Sequence, residues 1–489
     1  MADRPSLFLE LTNSICAHCL RKIEAKIVLQ DGRVYLHKLC PQHGAQRTLV
    51  STNLDWYQKT RSFVKPGQMP KRFNTPVKYG CPYDCGLCPD HEQHSCLAIV
   101  EVTDHCNLAC PICYAESGPH RPDHRSLGQI AFMLDSVVRN EGQPDIVQIS
   151  GGEPTLHPEF FKILEMARER PIKHLMVNTN GLRIAREADF AKRLQEFMPA
   201  FELYLQFDSL HDDALRHLRG ADLSRIRRDA LDRLNDLGIS TTLVVTLQKG
   251  VNDAQIGEIL DFAVQQPCVR GVTFQPVQTA GRTEGFDPST DRLTVSEVRD
   301  EIVRQSSLFA ADDIIPVPCH PDCLAMAYAL KVGGATIPLT GLIDPQTLLE
   351  AEGSTIVYER NPGLRQRVFE AFSTSHGPAS AGLALKHLLC CLPGVECPDT
   401  VTYENVFRII IMQFLDPWSF DVRSVKRSCV HIVHPDGRLI PFDNYNIFYR
   451  DGREKILEEL RTGHAGHLAP LTVRGRQQRP AISAEHALP

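Results

Sequence analysis

Cys106, Cys110 and Cys113 form a C-x3-C-x2-C run directly after a strand-like stretch at residues 98–103. Thiolate is the natural ligand of iron–sulfur clusters, so three thiolates on one tight loop hold three irons of a 4Fe-4S cube. The fourth iron is left to a bound molecule, and the site can then reduce that molecule. A second run of the same spacing, Cys81, Cys85 and Cys88, lacks a leading strand, and Cys96 follows after seven intervening residues. Read together, these four make a closed cluster suited to electron transfer, structure or a second reaction centre. Zinc is the alternative metal for either set.

A third group lies near the start. Cys16-x2-Cys19 is followed by Cys40 and His43, and residues 25–36 between them read as a hairpin turning at Asp31-Gly32. Two knuckles joined by a hairpin hold one tetrahedral zinc or iron, and a module this short needs such a staple to fold. His43 is the expected fourth ligand, with His18 and His37 close by in sequence.

These residues need elements to position them. Strand-like runs at 99–103, 146–150, 174–178, 202–207, 241–247 and 271–276 alternate with stretches of helical period such as 160–168 and 226–237. Such βα repeats imply a parallel sheet with helices outside it, and the length fits a partial (β/α)6 barrel rather than a full eight-unit one. Active groups on such sheets gather at the carboxyl ends of the strands, where the Cys106 loop departs. The α/β chain of 489 residues then divides into a metal-binding ribbon at 1–65, an auxiliary cluster loop at 66–96, the barrel at 97–290, a C-terminal α+β auxiliary-cluster domain at 291–462 and a disordered tail at 463–489.

Bulk properties set limits. The net charge of -6 gives no general attraction to nucleic acid, and a basic cluster such as Arg225-Ile-Arg-Arg228 reads as a solvated helix face. Apolar runs are too short to span a bilayer, and no export signal is visible, so a cytoplasmic location is expected. Seventeen cysteines in such a chain argue for metal ligation rather than disulfides. Cys268 reads as a packed core thiol, and Cys397 is an alternative cluster ligand rather than the expected one.

The second strand runs into Gly151-Gly152-Glu153. Glycines at a strand end let the backbone approach a ligand, and the carboxylate can accept from an ammonium group. Asn180 and Asp208 close the third and fourth strands, where they suit ribose or substrate contacts. The cysteine loop, the barrel and the Gly-Gly-Glu turn together resemble the radical S-adenosylmethionine (radical SAM) superfamily. The resemblance implies that the open iron chelates the methionyl amine and carboxylate, with Glu153 near the ammonium side. It further implies that one electron cleaves the sulfonium bond to give a 5′-deoxyadenosyl radical.

Over almost the whole chain, Cys81-Pro-Tyr-Asp-Cys-Gly-Leu-Cys88 with Cys96, followed by the radical SAM loop, resembles the tetraether lipid synthase group, which also includes proteins described as pterin methyltransferases. That resemblance implies a C-terminal cluster on Cys319, Cys323 and Cys429. The group has a further cysteine where this chain has Asp443, which leaves this cluster with an open iron, an oxygen ligand or a labile bond. The implied activity is hydrogen abstraction from an unactivated carbon, leading to carbon–carbon coupling of lipid alkyl chains. Radical methylation of a pterin or other heterocycle is the alternative, and a multi-cluster electron-transfer protein is the alternative of another class. A small-molecule or lipid substrate and a one-electron reductant of ferredoxin or flavodoxin type are the expected partners, with peripheral membrane contact if the substrate is lipid.

Overall fold

The computed structural model describes residues 6–64, 66–332, 334–342, 405–450 and 452–462. The expected tail at 463–489 and Cys390, Cys391 and Cys397 lie outside the described residues. The first four strands form an antiparallel meander: β1 (Leu7–Ile15), β2 (Lys22–Gln30), β3 (Arg33–Cys40) and β4 (Gly44–Ser51). The β2–β3 hairpin turns on Asp31 and Gly32, both at positive φ (51° and 74°). This is the two-residue geometry whose twist matches the flanking strands.

The barrel wall follows. Strand β5 (Leu97–Thr103) is buried along its whole length. A two-residue strand β6 (Ile112–Cys113) lies in the cysteine loop, and then come β7 (Ile146–Gly151), β8 (His174–Thr179), β9 (Phe201–Gln206), β10 (Thr241–Leu247) and β11 (Val269–Pro276). β5 and β7–β11 pair in parallel in the order β11-β10-β9-β8-β7-β5, with helices such as Leu127–Glu141, Phe160–Arg168 and Ser224–Leu237 between them. Near-continuous apolar strands with crossover helices are what a parallel sheet requires, because both of its faces are covered.

The six-unit wall extends further than the sequence rhythm indicates. β12 (Arg282–Thr283) pairs with β6, and then come β13 (Ile315–Pro316), β14 (Leu324–Val332), β15 (Ala335–Pro338), β16 (Val406–Met412), β17 (Val430–Val433) and β18 (Leu439–Pro441). β16 adds in parallel to β11, and β14 runs antiparallel to β16. β17 adds in parallel to β5 at the opposite edge. The described strands of the C-terminal region thus continue the barrel sheet. They extend both edges of one twelve-stranded sheet.

Inward-facing side chains fill the barrel in layers, as strand periodicity dictates. At the strand beginnings Glu202 of β9 accepts hydrogen bonds from Arg408 Nη2 (2.8 Å), His174 Nε2 (3.2 Å) and Thr242 Oγ1. Gly271 leaves room for this plug, since a Cβ there would lie 2.3 Å from Arg408 O. Above it the wall turns to amides and opens into a cavity. Among the described residues no helix is long and apolar enough to cross a membrane.

Candidate functional site

The cavity sits under the Cys106–Cys113 loop, and all three thiols line it. The loop is held from several sides. Arg282 Nη2 donates to Ser117 O (2.9 Å) and its Nε donates to Cys110 O, while Arg282 and Cys113 are paired across β12 and β6. Arg219 Nη1 donates to Ile112 O (3.1 Å). Burial pushes the Cys106 and Cys110 thiols up, and the nearby Arg219 guanidinium pulls Cys110 back toward thiolate. One buried and two half-buried thiols in a confined loop suit a bound cation, because a metal removes the cost of their ionisation.

The Gly-Gly-Glu turn serves this loop in a way the sequence reading did not anticipate. A Cβ on Gly151 (φ 132°) would lie 2.2 Å from Thr103 O, and one on Gly152 would lie 2.1 Å from His105 O. The glycines thus admit the backbone leading into the cysteine loop, and both also line the cavity. The turn hydrogen-bonds to that loop through Gly152 N to Thr103 O and Glu153 N to His105 O, both 2.8 Å. Glu153 lines the cavity but is also tightly engaged. Its carboxylate accepts from Thr179 Oγ1 (2.8 Å), Thr155 N (3.2 Å) and Asn180 N (2.7 Å). Burial raises its pKa against those donors.

Asn180 also lines the cavity, with Nδ2 4.0 Å from Cys106 Sγ and 2.7 Å from Asn107 Oδ1. Asp208, expected at a ribose or substrate, is instead fully buried behind the wall. Arg219 Nε and Nη2 grip its two oxygens at 2.7 and 2.6 Å, and Thr246 N and Gln206 Nε2 complete its shell. Burial pushes its carboxyl up, but the Arg219 charge overcomes this and holds it below the usual range. Its role is to fix an arginine, and Gln206 beside it is the side chain that faces the cavity.

Arg227 is the residue that sequence reasoning misplaced. Arg225 is 92% exposed on its side chain, but Arg227 is 1% exposed and lines the cavity. Its Nη1 donates to Asn180 O, while Nε and Nη2 have no hydrogen-bond partner in the protein, Nη2 lying 4.0 Å from Asp208. Burial lowers its pKa to about 10. The signal was the helical period: Arg227 shares the buried stripe of Ala230, Leu231 and Leu234.

The wall below is rich in amides: Gln148, Asn178, Gln206, Gln275, Gln278 and Asn446. Gln148 Oε1 is buried without a hydrogen-bond partner. Leu97, Ile99, Met412, Leu415 and Val430 give another part of the cavity an apolar lining.

Two further cysteine groups form. Cys16, Cys19, Cys40 and His43 bring their ligand atoms within 4.8 Å of one another, and His43 Nδ1 stands 3.5 Å from both Cys16 Sγ and Cys40 Sγ. His18 and His37 are not in this set. The second group corrects the expected one: Cys96 lies with Cys319 and Cys429 rather than completing Cys81, Cys85 and Cys88. Cys319 and Cys429 sulfurs are 3.6 Å apart, and Cys96 N donates to Cys429 O (2.9 Å). Residues 96 and 429 immediately precede two paired strands, so backbone pairing brings their thiols together. Cys323 is outside the close trio, 3.4 Å from Ser424 Oγ. Asp443 is buried with Oδ1 accepting from Leu415 N and Oδ2 unpartnered, and burial raises its carboxyl to about 7. Cys268 packs in the barrel core, as expected.

Comparison with known proteins agrees with this geometry. Residues 100–263 match the radical SAM superfamily, and residues 8–52 match the HMPTM N-terminal zinc ribbon domain. The chain is 29% identical to 7,8-dihydro-6-hydroxymethylpterin dimethyltransferase of Methanocaldococcus jannaschii, over 93% of this chain and 97% of that protein. It is 27% identical to GTP 3′,8-cyclase of Alkaliphilus oremlandii, over 50% of this chain and 72% of that protein. Among solved structures, Streptococcus suis SuiB bound to S-adenosylmethionine aligns with a TM-score of 0.34 at 18% identity, covering 39% of this chain and 43% of that one. At that score the likeness carries no functional argument.

Proposed function

We propose that this chain is a radical SAM enzyme whose substrate is a reduced pterin or closely related heterocycle, functionalised at an unactivated carbon. The observation that carries this reading is the amide wall beneath the cysteine loop, with Gln148 Oε1 buried and unpartnered. A heterocycle edge with an N–H group pairs with Gln148 Oε1, whereas an alkyl chain leaves that buried oxygen unpaired, at a cost of about 1–3 kcal/mol. The full-length similarity to a pterin dimethyltransferase supports the same reading.

The residues fit the cofactors of the domain: Cys106, Cys110 and Cys113 would hold the 4Fe-4S cluster, and Cys16, Cys19, Cys40 and His43 one zinc or iron. Held there, such a cluster would supply the one-electron reduction of S-adenosylmethionine that starts hydrogen abstraction from the substrate. The chain's own residues do the rest. Glu153 and Asn180 fix the mouth of the site, Arg227 presents its unpartnered N–H groups to a carboxylate, and the amides orient the heterocycle. The apolar lining at Leu97, Ile99 and Met412 favours a second reading, coupling of lipid alkyl chains.

The test is anaerobic turnover with dithionite, S-adenosylmethionine and either 7,8-dihydro-6-hydroxymethylpterin or archaeal lipid extract, read by mass spectrometry. Pterin-dependent formation of 5′-deoxyadenosine is expected. Release that depends on lipid alone would reject the pterin reading.

A further inference from the structure

The move of Cys96 to Cys319 and Cys429 leaves Cys81, Cys85 and Cys88 as a set of three. Cys85 is buried under the segment 442–449, and the charges of Cys81 and Cys88 bear on it. Among the described residues every other cysteine is placed elsewhere: three in the ribbon, three in the Cys106 loop, four around the Cys319 centre, and Cys268 in the barrel core. What faces the set instead is Asn444. Its Nδ2 is 2.7 Å from Cys85 Sγ, and its Oδ1 is buried with no partner. The Tyr449 hydroxyl accepts from Cys85 N at 3.2 Å. Cys81 is partly exposed, so the set has a route to solvent.

We propose that Cys81, Cys85 and Cys88 hold an iron–sulfur cluster and are, among the described residues, its only thiolate ligands. Its fourth iron is open to a small exchangeable ligand of the thiolate, imidazole or cyanide class, and Cys96 belongs to the Cys319–Cys429 centre. The spacing is that of the Cys106 loop, which already makes a three-thiolate set. Four thiolates would close the cluster, but the β5–β17 pairing holds Cys96 against Cys429. A half-turn of the Asn444 amide exchanges Nδ2 for Oδ1 at Cys85, so the residue beside the open iron is a weak neutral ligand that a stronger one displaces.

The experiment uses the full-length protein, prepared anaerobically with its metals, carrying Cys106→Ala, Cys110→Ala and Cys113→Ala so that the substrate-binding cluster is absent. Cyanide is added to the dithionite-reduced protein and the EPR spectrum is recorded, then repeated after adding Cys85→Ser or Cys96→Ser. One auxiliary signal is expected to shift with cyanide. Cys85→Ser removes that signal, and Cys96→Ser leaves both the signal and its shift in place. The proposal is overturned if no auxiliary signal responds, if the responsive signal is lost with Cys96→Ser, or if the Cys85-dependent signal responds only after Cys96→Ser. Should Cys85→Ser not fold, the parent protein with 13C-cyanide decides: a 13C hyperfine coupling on an auxiliary cluster supports the proposal, and its absence overturns it.

Discussion

Arg227 is the side chain on which the chemistry of the site makes the sharpest demand. A guanidinium 1% exposed, with Nε and Nη2 unpartnered, is costly unless a ligand completes its shell. A carboxylate does so with charge-assisted hydrogen bonds of about 1.5–3 kcal/mol. Arg227→Met is therefore expected to weaken S-adenosylmethionine binding ~10–100-fold by equilibrium dialysis, with iron content unchanged and partial recovery in Arg227→Lys. Unchanged affinity would remove Arg227 from the ligand site. Burial of this residue was legible only through its helical phase, because the local composition, Arg225-Ile-Arg-Arg228, reads as solvent-facing. Asp208 shows the opposite difficulty. Its place at a strand end is plain in the sequence, but its pairing with Arg219 depends on a helix eleven residues further on. The second expectation at this scale concerns the cluster loop. Cys106→Ala should abolish 5′-deoxyadenosine formation while the ribbon keeps its metal, measured by product assay and metal analysis. Formation at the wild-type rate would exclude the loop from the reaction.

Elements carry the next constraint, and the clearest case is the plug at the strand beginnings. Glu202 on β9 ties together His174 on β8, Thr242 on β10 and Arg408 on β16. The Arg408 pair fastens the late strand to the barrel. Burial pushes the Glu202 carboxyl up, but Arg408 and His174 outweigh it and hold the group below the ordinary range. A depressed carboxyl contributes stability above its unfolded pKa of about 4.3 and loses it as pH falls through the lower folded value. Glu202→Gln leaves Arg408 with an uncompensated buried charge, so a loss of about 3–5 kcal/mol is expected near neutrality. The gap between wild type and variant should begin to narrow below about pH 4 and shrink further as pH falls. Paired thermal unfolding across pH checks this, and a gap independent of pH would refute it. The six parallel strands were legible because each is a short apolar run with its own helix. β16 was not, because β11 and β16 are neighbours in the sheet but more than a hundred residues apart in sequence. The ribbon was legible in its cysteine spacing but not in its docking. Lys38 Nζ reaches across to Pro417 O (2.6 Å), and Ser14 Oγ donates to Phe420 O (2.5 Å).

At the scale of the whole molecule, the Cys96–Cys319–Cys429 trio joins the two ends of the sheet. Cys319 lies between β13 and β14 at one edge, whereas Cys96 and Cys429 precede β5 and β17 at the other. An open sheet presents unpaired edge groups, and closure across an edge removes that liability. A metal shared by these thiols acts as a seam whose binding energy is part of the folding energy. The seam lies at the start of β5 and the Cys106 loop at its end, about 20 Å apart for a seven-residue strand. The two metal centres should therefore fail independently. Cys319→Ser is expected to raise hydrogen exchange in β13, β14 and β17 at least tenfold, equivalent to about 1.4 kcal/mol of local stability, while the amides of β7–β10 keep their protection. Cys110→Ser, which strips the loop at the other end of β5, should leave the exchange of β13, β14 and β17 unchanged. Equal exchange in the Cys319→Ser protein and the wild type would mean that the two edges are held together by packing alone, through Phe420, Val430 and their neighbours in the same apolar cluster.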